Sequence, residues 1–202
     1  MLVALTGIGL SAAAGLNAYI PFLLVALLAR LTDVVTLPSA LVWMESWWAI
    51  GLGAVLLLTD VVLDKVPLVD TFNDVVQTVM RPATGGIVAA ATTAAESVEG
   101  STWVSENPWV PIVAGVLVAA LVHSGKAAAR PVVNAATGGA GGPVASVVED
   151  VVSVGLSLVA IFLPVLVVVV LGLLVWAFVA LWRRRRRRRV GASAPPAPAG
   201  PA

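Results

Sequence analysis

Two arginines of this 202-residue chain stand in similar company. Arg81 precedes Pro82 and then Thr84-Gly85-Gly86, and Arg130 precedes Pro131 and then Thr137-Gly138-Gly139. A guanidinium beside a glycine turn that opens a helix offers a forked donor, free backbone N–H groups and the positive helix end, a set suited to phosphate or carboxylate. Lys126, four residues before Arg130, adds a third cation. The commoner use of the same residues is a glycine turn between membrane segments, with the arginine held among headgroups. The nucleotide-binding pattern Gly-x-x-x-x-Gly-Lys-Ser/Thr is absent from the sequence.

The acids carry the complementary chemistry. Asp60, Asp64, Asp70 and Asp74 crowd one stretch with Lys65, and Glu149-Asp150 stand at the mouth of the last apolar block. Ionisable groups at membrane depth are costly unless they face water or one another, so in that setting they form a proton or cation relay. In water the same acids are the polar face of a surface helix, paired with arginine across its turns. Asn17, between Gly15 and Pro21, marks either an unwound helix whose freed backbone groups bind an ion or substrate, or an interhelical hydrogen bond worth about 1 kcal/mol. His123 is the lone histidine, a titratable group near neutrality or an interfacial side chain facing headgroups.

Catalytic signatures are missing: the sequence has no His-Glu-x-x-His and no Gly-x-Ser-x-Gly. With no cysteine there is no thiol nucleophile, disulfide or iron–sulfur cluster, and one histidine argues against a His-built zinc or haem site. The expectation is no enzyme, no cofactor and no metal.

The elements that hold these groups are apolar to an extent ordinary soluble chains never reach. Hydrophobic residues make up 59% of the chain and charged ones 11%, where soluble domains carry about 25%. Spans of about 20 apolar residues cross a hydrocarbon core, and four segments offer them: residues 2–29, 41–59, 109–122 and 151–182. The first has no basic n-region, so an uncleaved span is expected rather than a signal peptide. The last is too long for one straight crossing, and Pro164 predicts a break near Phe162. Val69, Phe72, Val76 and Val79 recur at helical spacing with Asp70, Asp74 and Arg81 on another side, an amphipathic helix. Two short Gly/Ala-rich segments follow the two Arg-Pro pairs and either cross or re-enter. The expected fold class is an all-α polytopic membrane protein with four firm transmembrane helices, two short crossing or re-entrant segments and an internal repeat at an offset of about 50 residues. Crossing gives six passes and re-entry gives four.

Charge fixes the ends. Seven of the 12 basic residues are consecutive arginines, Arg183 the first and Arg189 the last, leaving five basic against 11 acidic groups in residues 1–182. The positive-inside rule puts this C-terminal run in the cytoplasm, with Trp176 and Trp182 as interface anchors. The run attracts anionic lipid headgroups at about 1 kcal/mol per residue, and nucleic acid need not be invoked. A helical transmembrane domain, 1–182, thus precedes a polybasic anchor and disordered Pro/Ala tail, 183–202.

The runs GLSAAAGLNAYIPFLLVALLAR, DKVPLVDTFNDVVQTVMRPATGG and HSGKAAARPVVNAATGG together resemble a domain-of-unknown-function family of small bacterial integral membrane proteins, over about residues 5–180. The resemblance implies a membrane location and carries no activity; the expected location is the bacterial inner membrane, multi-pass with a cytoplasmic C-terminus. From the residues alone, the expected function is a small transporter or lipid-translocating protein for an anionic substrate, oligomeric because so few helices make a thin wall. In it Asn17, Arg81, Thr84, Gly85, Gly86, Lys126, Arg130, Thr137 and Gly138 hold substrate, while Asp60, Asp70, Asp74, Glu149 and Asp150 carry the coupling ion. The alternative is a non-transporting membrane scaffold or envelope-assembly protein with all its charges solvated. The two differ in whether the arginines and acids converge.

Overall fold

A computed structural model describes residues 2–64, 69–100, 106–138, 141–173, 175–176 and 179, with the side chains of 69–72 and 93–100 left aside. The chain divides into two compact units, residues 1–167 and 168–202, and the account below concerns the first. In the second, the described residues are helical. The arginine run, Trp182 and the Pro/Ala tail lie outside the described residues, as does Lys65.

Its helices are α1 (Leu2–Leu16), α2 (Tyr19–Leu31), a 3-10 turn (Ser39–Glu45), α3 (Trp47–Leu63), α4 (Val69–Gly100), α5 (Trp109–Thr137) and α6 (Gly141–Phe162), with a further helix, α7 (Pro164–Leu173), after Leu163. The chain is all-helical, but the spans are drawn differently from the apolar windows. By length and composition α5 and α6 can each cross a membrane, and a third crossing is available if the 3-10 turn and α3, bent by 63°, count as one. Four firm spans are therefore more than the structure supports. The two short Gly/Ala-rich segments are not separate elements either. The first is the interior of α4, which runs unbroken through Arg81, Pro82 and Gly86, and the second is the opening of α6. The break expected before Pro164 is present at Leu163.

The first apolar block is the larger surprise. It breaks at Asn17-Ala18, because a helix running on would need a Pro21 N–H to bond the Asn17 carbonyl, and proline has none. A straight helix from residue 2 to residue 31 would hold its ends about 44 Å apart. Instead Leu2, Val3 and Thr6 share one cleft with Val34, Val35 and Thr36. The chain doubles back, so α1 and α2 form a helical hairpin.

Register follows from paired contacts. Ser11 bonds the Gly85 carbonyl and Tyr19 meets Gln77, so α4 is antiparallel to α1. Thr78 and Arg81 meet His123, and Asp74 meets Arg130, so α5 is antiparallel to α4. Ser153 bonds the Ala13 carbonyl and Asp150 meets Asn17, placing α6 antiparallel to α1. Phe22 and Leu23 face Gly53 while Arg30 stacks on Trp47, which makes α2 antiparallel to α3. Helices α1, α3 and α5 thus end, and α2, α4 and α6 begin, at the same end of the bundle.

Packing is inverted relative to a water-soluble protein. The centre is α1, whose residues Gly9 to Gly15 are all buried among α4, α5 and α6. Small residues let backbones approach: a Cβ on Gly85 would stand 2.8 Å from the Gly115 carbonyl oxygen, and one on Gly15 would stand 2.6 Å from that of Ala119. Meanwhile Val75, Val79, Leu117, Leu121, Val147, Val148 and Val151 point outwards, and polar side chains point in. On α4 the apolar and polar stripes are real, and the polar one faces inward: Val76 and Val79 are exposed, and Asn73, Gln77 and Arg81 are buried. Hydrocarbon as solvent rewards that arrangement.

Candidate functional site

Each helix that reaches the common end presents one polar stripe there. Asp60 and Asp64 lie one turn apart at the end of α3. Asn73, Gln77 and Arg81 follow at intervals of four on α4. His123, Lys126 and Arg130 share a face of α5, and Ser146, Glu149, Asp150 and Ser153 share one of α6. Helical periodicity makes residues three or four apart neighbours, so four stripes and the hairpin tip converge on one cluster.

The tip organises it. The Asn17 Oδ1 accepts the N–H groups of Tyr19 (2.9 Å) and Ile20 (3.3 Å), capping the freed start of α2. Its Nδ2 donates to Asp60 Oδ2 (3.1 Å) and to Asp150 Oδ1 (2.8 Å). The Leu16 carbonyl, at the exposed dipole end of α1, receives Lys126 Nζ at 3.5 Å. Both readings of Asn17 are therefore met in part: the helix is broken there, and the amide ties helices together.

Around the tip the acids are held by donors. Asp60 Oδ1 accepts from Asn73 Nδ2 (2.6 Å) and Gln77 Nε2 (2.7 Å), and Asn73 also reaches Asp64 Oδ1 (2.9 Å). Arg130 forks between Asp74, in direct ion-pair contact, and Ser146 Oγ (2.8 Å), with Asp64 at 3.6 Å. Lys126 pairs with Glu149 at 2.7 Å. Arg81 differs from the other two cations. It is 1% exposed, touches no carboxylate among the described residues, and bonds only His123 Nδ1 at 3.3 Å, its Nε lacking a partner. The other ring nitrogen of His123 meets Thr78 Oγ1 at 3.1 Å, whose hydroxyl donates to the Asp74 carbonyl at 2.8 Å.

Of the expected site residues, the structure brings together Asn17, Asp60, Asp74, Arg81, Lys126, Arg130, Glu149 and Asp150. The Thr-Gly-Gly turns do not join them. Thr84, Gly85 and Gly86 lie mid-helix, where backbone N–H groups are already bonded, and the glycines serve the close approach of α4 to α5. Thr137 and Gly138 do form a turn, but an exposed one: Gly138, at φ 62°, ends α5, and Thr137 Oγ1 takes the Gly141 N–H at 2.8 Å. Neither Thr-Gly-Gly segment sets a helix start against its arginine among the described residues, so the helix-end part of the anion donor set is corrected. The likeness of the two copies is confined to an Arg-Pro pair within a helix. The Asp70 side chain and Gly139 lie outside the described residues.

Asn73, Gln77 and Ser146 join the site beyond the expected residues, and Asn73 and Gln77 fall on the Arg81 stripe at helical spacing. Five carboxyls, those of Asp60, Asp64, Asp74, Glu149 and Asp150, thus meet three cations in one buried or half-buried cluster. Among the described residues no three His, Asp or Glu side chains are disposed to hold a metal ion.

A family model described as Domain of unknown function (DUF4126) matches residues 4–184. No curated protein and no solved structure matches the chain.

Proposed function

The chain belongs to the DUF4126 family, and from its buried charge cluster we propose that it is a small multi-pass transporter of the bacterial inner membrane, C-terminus cytoplasmic, moving an anionic substrate coupled to a proton or cation. One observation carries this reading: five carboxyls and three cations, an excess of two carboxyls, are gathered at the tip of a broken helical hairpin. Charges at depth cost several kcal/mol and persist where ions are handled. Reversed or interrupted helices whose ends meet a midplane site are a recurrent design of secondary transporters. The unequal numbers of acids and bases leave room for protons or a cation to complete neutrality, and a variable complement is what coupling requires.

Tryptophans supply a depth scale. Trp47, Trp48 and Trp109 are exposed at the starts of α3 and α5, the placement of an interfacial aromatic belt. Asp60 follows Trp47 by about 20 Å along the helix, and Arg130 follows Trp109 by about 31 Å. In a core of about 30 Å the cluster then lies in the half remote from the belt, nearer the opposite water phase.

The roles divide by partner. Arg81, which touches no carboxylate among the described residues, is the anion-recognising cation, while Arg130 and Lys126 brace the helices. Asp60 and Asp150, joined through Asn17, lie on the coupling route. A non-transporting scaffold is the second reading, favoured by the closed Arg130–Asp74 and Lys126–Glu149 pairs. The test is flux: purified protein in liposomes with a trapped pH dye, driven by gradients of inorganic phosphate or formate. Proton movement that needs the protein and is lost in Asp60→Asn is expected. Vesicles as tight with the protein as without it, under every gradient, would establish the scaffold.

A further inference from the structure

Arginine only donates hydrogen bonds, so the His123 Nδ1 that faces Arg81 Nη1 at 3.3 Å must present its lone pair. That fixes the ring as the neutral tautomer with its proton on Nε2, which then donates to Thr78 Oγ1 at 3.1 Å, the hydroxyl passing its own proton to the Asp74 carbonyl. The tautomer is thus locked at both ends, and Arg81 is locked with it. A second proton on this ring can go only to Nδ1, directly against a guanidinium N–H. The Arg81 contact cannot survive that addition.

Resting on the transport reading, we infer that the Arg81–His123 pair is the binding site of a small monovalent oxyanion that enters together with a proton on His123. One proton adds to Nδ1 and the Arg81–Nδ1 hydrogen bond breaks. The imidazolium Nδ1–H and the released guanidinium fork then both donate to the anion's oxygens. Arg81 Nε, buried and unpartnered, supplies the second tooth of that fork. The groups around the ring make the two events interdependent. Arg81 and Asp74 face it from α4, Lys126 and Arg130 stand beside it on α5, α1 offers no ionisable residue, and Glu149 of α6 is engaged by Lys126. A proton placed among three cations is unfavourable until an anion arrives, and an anion gains the Nδ1–H donor and Arg81 Nη1 only when the proton arrives. Linkage makes each tighten the other. A monoanion is selected because the cluster already holds more carboxyls than cations.

The chain's single histidine makes the test direct. Histidine-selective 15N labelling of the protein in micelles is expected to show a neutral ring with its proton on Nε2. Formate, a monoanion throughout, is expected to bind more tightly by about tenfold per pH unit on acidification within about pH 5 to 8, and inorganic phosphate is expected to bind in its singly charged form. In His123→Gln, whose carbonyl still accepts from Arg81, binding loses this pH dependence, and Arg81→Lys, which keeps the charge without the fork, binds weakly at all pH values. A proton on Nδ1, no binding of either probe, or an unchanged pH slope in His123→Gln overturns the inference. Flux without these signatures leaves the transport reading standing alone, and binding without flux removes transport while retaining the site.

Discussion

Asn17 can be replaced in two ways that separate its roles. Its amide makes four hydrogen bonds while 1% exposed: two accepted from the start of α2 and two donated to Asp60 and Asp150. Asn17→Ala removes a helix cap worth about 1 kcal/mol. It also strips one donor from the buried Asp60 and one from the half-buried Asp150, at about 1.5–3 kcal/mol apiece for a bond to a charged group. In a membrane the unfolded helices find other partners, and such bonds average nearer 0.6 kcal/mol. The loss therefore falls between about 2 and about 7 kcal/mol, a large share of a typical total of about 5–15 kcal/mol. Asn17→Asp discriminates, since aspartate caps a helix as well as asparagine. If capping is the whole role, Asn17→Asp is as stable as the wild type. If the donors matter, it is the worse variant, because a third carboxylate then faces Asp60 and Asp150. Denaturant unfolding in micelles, followed by circular dichroism at neutral pH, should rank wild type, then Asn17→Ala, then Asn17→Asp. Wild-type stability of Asn17→Asp would refute the donor argument.

Two further outcomes follow from the packing and the hairpin. Gly115→Ala would set a methyl 2.6 Å from Ala89 Cβ and should cost about 1–3 kcal/mol by thermal unfolding, whereas Gly125→Ala and Gly155→Ala, with no atom within 4 Å, should gain about 0.5–1 kcal/mol. Single cysteines are clean probes in a chain without native ones: positions 2, 33 and 106 should label from one side of a sealed vesicle and position 138 from the other. Labelling of 2 and 33 from opposite sides would show that the first block crosses straight and would remove the hairpin.

Much of the site was legible as residue types. Asp60, Asp74, Arg81, Arg130, Glu149 and Asp150 declared themselves because each is an ionisable group in an apolar chain, where its cost demands a reason. Their convergence was not legible, because residues 17, 60 and 150 meet only through helix pairing. The Thr-Gly-Gly pattern misled for a related reason: glycine serves a turn and a close helix contact equally well, and the neighbour across the contact, Gly115, is 30 residues from Gly85 in sequence.

The amino-acid sequence by itself determined an all-helical, outwardly apolar chain, broken near Pro164, with a basic C-terminal run and family membership over residues 4–184. These are local or compositional properties, set by hydropathy and proline chemistry. Tertiary structure alone decided that Asn17 is a hairpin tip, that α4 turns its polar face inward, and that, of the three cations in the cluster, Arg81 rather than Arg130 touches no carboxylate among the described residues. Helical spacing puts Arg81 and Arg130 on equal footing, and only the placement of Asp64, Asp74 and Ser146 against one of them breaks the tie.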